Sequence, residues 1–378
     1  MSNSPKKREI IANIERLNQM MDRDGYAAIV ARSGKNFTYL AGFAFPGTLA
    51  RHLDFSDTPR GVLLIWPRKG KPVMLLNEFS EPVARRDSWL EDIVMYDGYS
   101  ESVYMKAAEV LTGMGLHEAK LGFEKTFISA IRWEELQGLL PKANIADCTS
   151  MMNEVRWVKT PGEVKLIKIA ADILDDAYLE VFPTVRDGDT EREIHSRLIK
   201  SCLQRGSGWA HGILNSSRNT VMYGGEGDFV FRQGDIIRND YVLYYQGYPG
   251  HQSRTVVLGQ PSAELKRDYK VVRDIYLKTM EKCRPGVKAG DIYRFAADAY
   301  QHAGIGTPPL AGHGVGAWLH QQEPYLVKNN QQKLESGMVI ALEPYIDYWH
   351  IQDMILITDD SPRVLSDKFN TEEILTVG

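Results

Sequence analysis

The chain has 378 residues, and 45 lysine and arginine residues against 49 aspartate and glutamate residues give a net charge of −4 at pH 7. Hydrophobic residues make up 43% of the chain and charged residues 25%, ordinary globular values that exclude disordered, collagen-like and membrane-spanning classes. This near balance of charge is not typical of proteins that bind nucleic acid or anionic membranes, so neither partner is expected.

The cysteines and the N-terminus bear on where the protein works. Cys148, Cys202 and Cys283 are too few and too scattered for a disulfide framework or a zinc knuckle. The first residues are basic but are not followed by the apolar run of a secretory signal. A cytoplasmic protein is therefore expected.

The first 150 residues alternate helices with strands. Ile10, Ile14, Leu17 and Met21 have helical spacing, and the helix is predicted to end near Gly25. Further elements are predicted as strands at 27–30, 62–66, 73–76 and 121–123 and as helices at about 101–115 and 129–140. This alternation indicates an α/β unit.

A new domain is predicted to begin at Arg156. Thr160 can cap a helix over 161–182, with Pro161 at its first position and Glu163 three residues after the cap. We therefore expect an N-terminal domain over 1–155 and a second domain over 156–378.

The second half combines long helices with antiparallel strand pairs. The helices are predicted at 190–205, 262–284 and 289–303, and the strands near 228–232, 236–245, 248–259, 337–346 and 350–358. The last four strands form two hairpins that carry most of the polar residues of interest.

The first hairpin brings two polar side chains to one face. A two-residue turn at Gln246-Gly247 places Val242 opposite His251. Asp240 and His251 are then diagonal neighbours about 7–8 Å apart. They either bind a shared small ligand or ion, or form a polar outer face of the hairpin.

The second hairpin carries a glutamate within an apolar run. A turn at Asp347-Tyr348 places Gln352 directly opposite Glu343. A buried carboxylate needs a partner, so the two residues form either a structural hydrogen-bonded pair or half of a site.

A glycine-rich segment between the hairpins carries two histidines. His313 lies among Gly312, Gly314 and Gly316, which let the backbone approach closely, and His320 follows seven residues later. Histidine is the side chain best suited to proton transfer near neutral pH. The pair indicates a catalytic or ligand-binding segment rather than two structural histidines.

These motifs together resemble the pita-bread family, which includes methionine aminopeptidases, Xaa-Pro peptidases, prolidases and creatinases. The residues that carry the resemblance follow in order: Gly247-Tyr248, Arg254-Thr255, Gly312-His313-Gly314-Val315-Gly316, His320, Glu323-Pro324, Met338-Val339, Glu343-Pro344, Asp353 and Ile357-Thr358. The segment from Arg156 to Val164 resembles the start of the family's catalytic domain. The resemblance implies a mixed α/β (α+β) fold, with a creatinase-type N-terminal α/β domain and a C-terminal pita-bread domain with a curved antiparallel sheet.

The resemblance also implies a metal-ligand pattern from which this chain departs. Peptidase members hold two metal ions with two aspartates, one histidine and two glutamates, and the matching positions here are Asp240, His251, His313, Glu343 and Gln352. His251 and Gln352 thus replace carboxylates that bridge both ions. A dinuclear site is not expected, because two negative charges are missing. A further family histidine is replaced by Tyr223 or Gly224, which also counts against peptidase activity.

Two interpretations of the pocket remain. In one, Asp240, His251, His313 and Glu343 hold a single divalent ion of zinc, iron or manganese. In the preferred one there is no metal, Glu343 or His251 activates water, and His313 or His320 protonates the departing nitrogen. Burial is expected to raise the pKa of Glu343 and to lower the pKa values of the histidines.

Other residues are expected to bind a small-molecule substrate. Gln352 and Tyr223 are candidates within the second domain. The resemblance implies a homodimer in which the N-terminal domain closes the partner's site, and Arg51, His52 and Arg60 would then bind a substrate carboxylate. An exposed loop with solvated charges is the alternative.

The sequence analysis therefore favours a creatinase-like hydrolase that cleaves a non-peptide C–N bond of a small polar nitrogenous metabolite. A metal-dependent Xaa-Pro dipeptidase or aminopeptidase, a lyase of the same fold and a non-catalytic binding protein are the alternatives.

Overall fold

The computed structural model describes residues 9–45, 59–221 and 227–378, and the chain divides between Arg156 and Trp157 into two compact units. None of the described helices combines the length and the apolar character that crossing a bilayer requires.

The first unit contains one six-stranded sheet. Its strands are β1 (Ala28–Arg32), β2 (Leu63–Pro67), β3 (Val73–Leu76), β4 (Ile93–Met95), β5 (Lys120–Phe123) and β6 (Asn144–Asp147), in the order β4-β3-β2-β1-β5-β6. The described helices are α1 (Ile14–Asp24), α2 (Lys35–Ala41), α3 (Glu81–Asp87), α4 (Val103–Gly113), α5 (Ala130–Leu139) and α6 (Thr149–Trp157), which ends at the unit boundary. The first helix begins later than predicted, because the Asn13 side chain caps it by accepting a hydrogen bond from the Arg16 amide.

The second unit contains two five-stranded sheets. One has the order β16-β10-β8-β7, with β9 also paired to β8, and comprises β7 (Trp209–Ser216), β8 (Ile236–Tyr245), β9 (Tyr248–Gln252), β10 (Val256–Leu258) and β16 (Leu375–Val377). The other has the order β12-β11-β13-β14-β15 and comprises β11 (Gly312–Gly316), β12 (Leu319–Tyr325), β13 (Val339–Leu342), β14 (Asp353–Leu356) and β15 (Arg363–Val364). The helices of this unit are α7 (Pro161–Val181), α8 (Glu191–Gln204), α9 (Ala263–Lys282) and α10 (Ala289–His302).

The helix start at Thr160 is confirmed. Thr160 Oγ1 accepts a hydrogen bond from the Glu163 amide at 3.2 Å, and the Glu163 carboxylate accepts one from the Thr160 amide at 2.9 Å. These reciprocal bonds satisfy two amides that the helix itself leaves unpaired.

The apolar cores of the second unit decide which strand faces carry the polar residues. Ile237, Tyr241 and Leu243 of β8 pack in one core with residues of α7 and α8. Because side chains alternate along a strand, Asp240 and Val242 point to the opposite face. In the other sheet, Ile340 and Leu342 of β13 pack in a second core with residues of α9 and α10.

Two of the segments predicted as strands do not form a single strand. Residues 228–232 form no strand, because the Phe231 amide and carbonyl bond to the turn at Gly188 and Asp189 that precedes α8. The predicted strand 248–259 is divided into β9 and β10. The Asn239 side chain bonds to both the amide and the carbonyl of Arg254 and so replaces the strand-to-strand bonds there. The expected mixed α/β architecture is confirmed, and the C-terminal sheets are antiparallel except for the parallel pair of β10 and β16.

Arg254 is a buried cation that joins β9 to β14. It forms ion pairs with Asp175 at 3.1 Å and Asp353 at 2.9 Å, and it donates to the Gln352 carbonyl at 2.5 Å. The Arg254 side chain is only 1% exposed. Its contacts therefore fix the chain beside Gln352.

Replacing Arg254 with methionine is expected to lower the free energy of unfolding by about 3–5 kcal/mol, because two buried carboxylates lose their cation. Urea denaturation measures this change as a shift in the midpoint. The control is Arg68→Met, which breaks the exposed pair with Asp22 and is expected to leave the midpoint nearly unchanged. A similar midpoint for both variants would show that Arg254 contributes little to stability.

Candidate active site

The first hairpin of the second unit has the predicted register. Val242 pairs with His251 and Tyr245 with Tyr248 across the turn at Gln246-Gly247, where both turn residues have positive φ. This register brings the Asp240 carboxylate within 3.6 Å of His251 Nδ1. Both side chains lie on one face of the hairpin, as expected, and the opposite face of β8 packs in the core with α7 and α8.

The second hairpin also has the predicted register. Leu342 pairs with Asp353 across a turn in which Asp347 has a φ of 52°, so Glu343 faces Gln352. The ladder stops before Glu343, whose amide bonds instead to the Ala311 carbonyl at 2.9 Å. The two strands are therefore shorter than predicted.

The Gln352 side chain belongs to the same polar network as Asp240. Ser253 Oγ donates to Gln352 Oε1 at 2.7 Å and lies 3.4 Å from Asp240 Oδ1. Gln352 Nε2 is buried and has no hydrogen-bond partner in the part of the chain that the structure describes. If a glutamate stood in place of Gln352, no hydrogen bond made by Nε2 would be lost.

His313 lies on β11, between the two hairpins. A Cβ atom at Gly312 would lie 2.3 Å from the Ala341 carbonyl oxygen, so only glycine allows β11 to approach β13 this closely. His313 Nε2 is 2.9 Å from Glu343 Oε1. His320, on β12, has its ring centroid 4.8 Å from that of His251 and 6.2 Å from that of His313.

Two further histidines of the site were not predicted. His350 Nε2 lies 3.3 Å from Glu343 Oε2, and the His211 ring centroid is 5.9 Å from that of His320. His350 precedes Gln352 by two residues, so strand alternation places both on the same face and could have indicated His350. His211 lies on β7, a strand that was not predicted, and nothing in the sequence around His211 indicates a role in the site.

The buried charges of the site interact strongly. Burial by itself lowers the pKa of His313, but the Glu343 carboxylate outweighs it and raises that pKa above its ordinary value. Burial likewise raises the pKa of Glu343, but His313, together with hydrogen bonds from His313 and His350, brings it below its ordinary value. The expected directions are therefore wrong for both residues, because each faces an opposite charge.

The other histidines of the pocket follow the expected direction. Burial lowers the pKa of His251 and of His211. Burial and the neighbouring histidines lower the pKa of His320 to about 2. These three imidazoles are neutral near pH 7, so each keeps one nitrogen lone pair.

The hydrogen bonds of His251 and His313 orient their rings in a way that is compatible with metal binding. Each donates Nδ1–H to a backbone carbonyl at 3.0 Å, His251 to Tyr241 and His313 to Gly314. The carbonyl fixes the tautomer and turns Nε2 toward the pocket, where it could bind an ion, as in the usual arrangement around metal-bound histidines. One donor atom each from His251, His313 and Glu343 lie within 4.8 Å of one another. Two imidazoles and one carboxylate suit a divalent transition metal.

A second group of donor atoms overlaps the first. Asp240, Glu343 and His350 also each offer an atom within 4.8 Å of the other two. Both groups share Glu343, which is therefore the central carboxylate of the pocket.

Aromatic side chains border the histidines. Trp209 stacks on Tyr244 with 5.4 Å between ring centroids, and Trp318 lies 5.9 Å from Tyr244. Tyr244 Oη is 3.2 Å from His320 Nδ1. Trp318 has a φ of 60°, which is strained for a bulky residue and is held by its amide bond to the Gly247 carbonyl. Trp209, Tyr244 and Trp318 together form an aromatic wall.

The other predicted substrate residues are Arg51, His52, Arg60 and Tyr223. Arg51, His52 and Tyr223 lie outside the described residues. Arg60 belongs to the first unit, where its guanidinium lies 5.1 Å from the Phe79 ring centroid. Its role in a homodimer stays a prediction.

Comparison with known proteins identifies two family models. Residues 165–359 match metallopeptidase family M24, and residues 13–158 match the creatinase/prolidase N-terminal domain. The Xaa-Pro dipeptidase of Pyrococcus horikoshii is 24% identical over 366 residues, which are 93% of this chain and 96% of that protein. The Xaa-Pro dipeptidase of Lactobacillus helveticus is 26% identical over 352 residues, 87% of this chain and 92% of that protein.

Solved structures show the same fold. The crystal structure of a prolidase from Thermococcus sibiricus has a TM-score of 0.82 at 23% identity and covers 98% of this chain and 100% of that chain. An X-Pro aminopeptidase from Thermotoga maritima has a TM-score of 0.81 at 19% identity, covering 96% and 99%.

The prediction of a non-peptide C–N hydrolase is wrong, because the relatives are named Xaa-Pro dipeptidases and prolidases. The broader prediction of a hydrolase is supported, because these relatives are hydrolytic peptidases. The two missing carboxylates do not by themselves exclude a metal-dependent peptidase. His251 removes a negative charge but keeps a nitrogen donor, so it counts against two metal ions and not against one.

Proposed function

Because the chain belongs to metallopeptidase family M24, we propose that it is a metal-dependent hydrolase of Xaa-Pro dipeptides. The observation that carries the proposal is the buried donor set of His251, His313 and Glu343. The names of the relatives support the Xaa-Pro specificity.

The family implies a divalent metal, so we place one ion on His251, His313 and Glu343. The ion supplies Lewis-acid activation of a carbonyl group and of water. One ion suits the charge of the pocket, since Asp240 and Glu343 are the carboxylates among the five positions that match the peptidase ligands.

Asp240 and His320 are the groups we assign to proton transfer. Asp240 is the carboxylate that His313 does not engage, and it can accept the proton of an attacking water. His320 is neutral and receives a hydrogen bond from Tyr244 on Nδ1, which leaves Nε2–H to donate to the substrate. His320 thereby orients the peptide group without adding charge.

The aromatic wall supplies an apolar surface for the substrate. Trp209 stacks on Tyr244 and its ring centroid lies 4.5 Å from that of His211, yet the residue is 47% exposed, so part of its surface is open. A pyrrolidine ring or an apolar side chain can pack there without a charged partner. This surface suits a small peptide rather than a highly charged substrate.

The test is hydrolysis of Xaa-Pro dipeptides by the full chain loaded with Mn²⁺, Zn²⁺ or Co²⁺, followed by chromatographic detection of free proline. Chelation of the ion is expected to lower the rate by at least about 100-fold, and added metal is expected to restore it. The control substrate is the same dipeptide with an acetylated amine.

Hydrolysis that chelation leaves unchanged would contradict the metal dependence. A metal-loaded chain that cleaves no dipeptide would contradict the peptidase activity and favour the lyase or the binding-protein alternative.

A further inference from the structure

We propose that His350 is a positioning residue, which holds the Glu343 carboxylate for one metal ion and does not itself bind metal. The inference rests on the proposed metal dependence. It decides between the two overlapping donor groups, because His350 belongs only to the group with Asp240 and Glu343.

The bonds of the ring nitrogens separate His350 from the two ligand histidines. His251 and His313 each donate Nδ1–H to a backbone carbonyl, which orients the ring and turns Nε2 toward the pocket, where His313 Nε2 lies 2.9 Å from Glu343 Oε1. His350 Nδ1 is buried and has no hydrogen-bond partner within residues 9–45, 59–221 and 227–378. If Nε2 of His350 bound metal, the proton would have to sit on this unpartnered Nδ1, at the cost of a buried unsatisfied donor.

The alternative tautomer satisfies the pocket better. With the proton on Nε2, His350 donates to Glu343 Oε2 at 3.3 Å. Nδ1 is then a lone pair, and a buried unpaired acceptor is tolerated more often than a buried unpaired N–H. The proton of His350 is thus directed at Glu343, and no lone pair of Nε2 remains for an ion.

The backbone and ring of His350 are held in place. Its amide lies 3.3 Å from Thr255 Oγ1, and its carbonyl lies 3.2 Å from the same hydroxyl. Its ring packs on Tyr345 at a centroid distance of 4.8 Å. The held backbone and the packed ring together give the Nε2–H of His350 a defined direction.

The consequence for Glu343 is that its two oxygens have different tasks. Oε2 is held by His350, while Oε1 lies 2.9 Å from His313 Nε2, on the side of the proposed ion. Without His350 the buried Glu343 carboxylate can rotate, and its Oε2 atom loses this hydrogen bond. Loss of such an outer partner lowers metal affinity by about 10–100-fold in other proteins.

The test measures metal affinity rather than activity. The metal-free full chain is titrated with Co²⁺ against a competing chelator, and the visible absorption of the bound Co²⁺ reports its ligands. The wild type is expected to bind one Co²⁺, and His350→Ala is expected to bind it about 10–100-fold more weakly with an unchanged absorption band.

Two further variants complete the test. His350→Gln places an N–H near the position of Nε2 and is expected to restore the wild-type affinity. His211→Ala removes a histidine of the same pocket that belongs to neither donor group, and it is expected to leave the affinity unchanged. If His350→Ala does not fold, as judged by circular dichroism, a wild-type affinity and band in His350→Gln still support the proposal.

Several results would overturn it. His350 would be a ligand if the wild type bound two Co²⁺ ions and if His350→Ala or His350→Gln lost one of them and had an altered absorption band. Equal affinities of the wild type and His350→Ala would remove its positioning role. A wild type that binds Co²⁺ but cleaves no Xaa-Pro dipeptide contradicts the proposed function alone, whereas no Co²⁺ binding at all contradicts both.

Discussion

Replacing Glu343 with glutamine is expected to lower dipeptide hydrolysis by about 1,000-fold or more, because the pocket loses its central carboxylate. Glu343 is the one residue shared by both donor groups, and it contacts His313 and His350. A carboxamide has nearly the same shape but no charge, so it is a weak ligand for a divalent ion. Measurement of kcat/KM with saturating Mn²⁺ or Zn²⁺ tests this expectation.

The same variant is expected to lose tightly bound metal. Elemental analysis after dialysis should find about one ion per chain in the wild type and almost none in Glu343→Gln. The control is Glu372→Gln, which changes an exposed glutamate in the same way and is expected to keep both the activity and the ion. A Glu343→Gln chain with wild-type activity would show that Glu343 is not a ligand.

Restoring both missing carboxylates is expected to convert a one-ion site into a two-ion site. His251→Asp and Gln352→Glu together recreate the peptidase pattern that the sequence resemblance implies. Both positions border Asp240, since His251 lies 3.6 Å from it and Gln352 reaches it through Ser253. Two added negative charges compensate a second dication, and such ions lie about 3.5–4 Å apart in two-metal sites.

The measurement is the Mn²⁺ or Co²⁺ content of the double variant after dialysis against the ion, with two ions per chain expected. His211→Asp is the matched control, because it adds a carboxylate to the same pocket outside both donor groups and is expected to leave one ion. A double variant that still binds one ion would show that the charge of these positions does not set the number of ions.

Part of the site was predictable because turns act locally. Gln246-Gly247 and Asp347-Tyr348 fix the registers of the two hairpins, and these registers alone pair Val242 with His251 and align Glu343 with Gln352. The capping box at Thr160 is likewise a property of four consecutive residues. Such features need no knowledge of distant segments.

Other parts of the fold depend on distant partners. The β11 strand was missed because glycines have low strand propensity, and its place is set by close contact with Ala341 and Glu323. The strand 248–259 is interrupted because a side chain from β8, Asn239, bonds to Arg254. Propensity and alternation carry no information about either contact.

The sequence by itself determined the family resemblance, the mixed α/β architecture, the two hairpin registers and the absence of two carboxylates at His251 and Gln352. Only the tertiary structure brought His211 and His350 to the pocket, reversed the expected pKa directions of His313 and Glu343, and showed which ring nitrogens are already bonded. The physical reason is that turn type and periodicity are local, whereas a pKa and a ligand set depend on charges and hydrogen bonds between residues far apart in the chain.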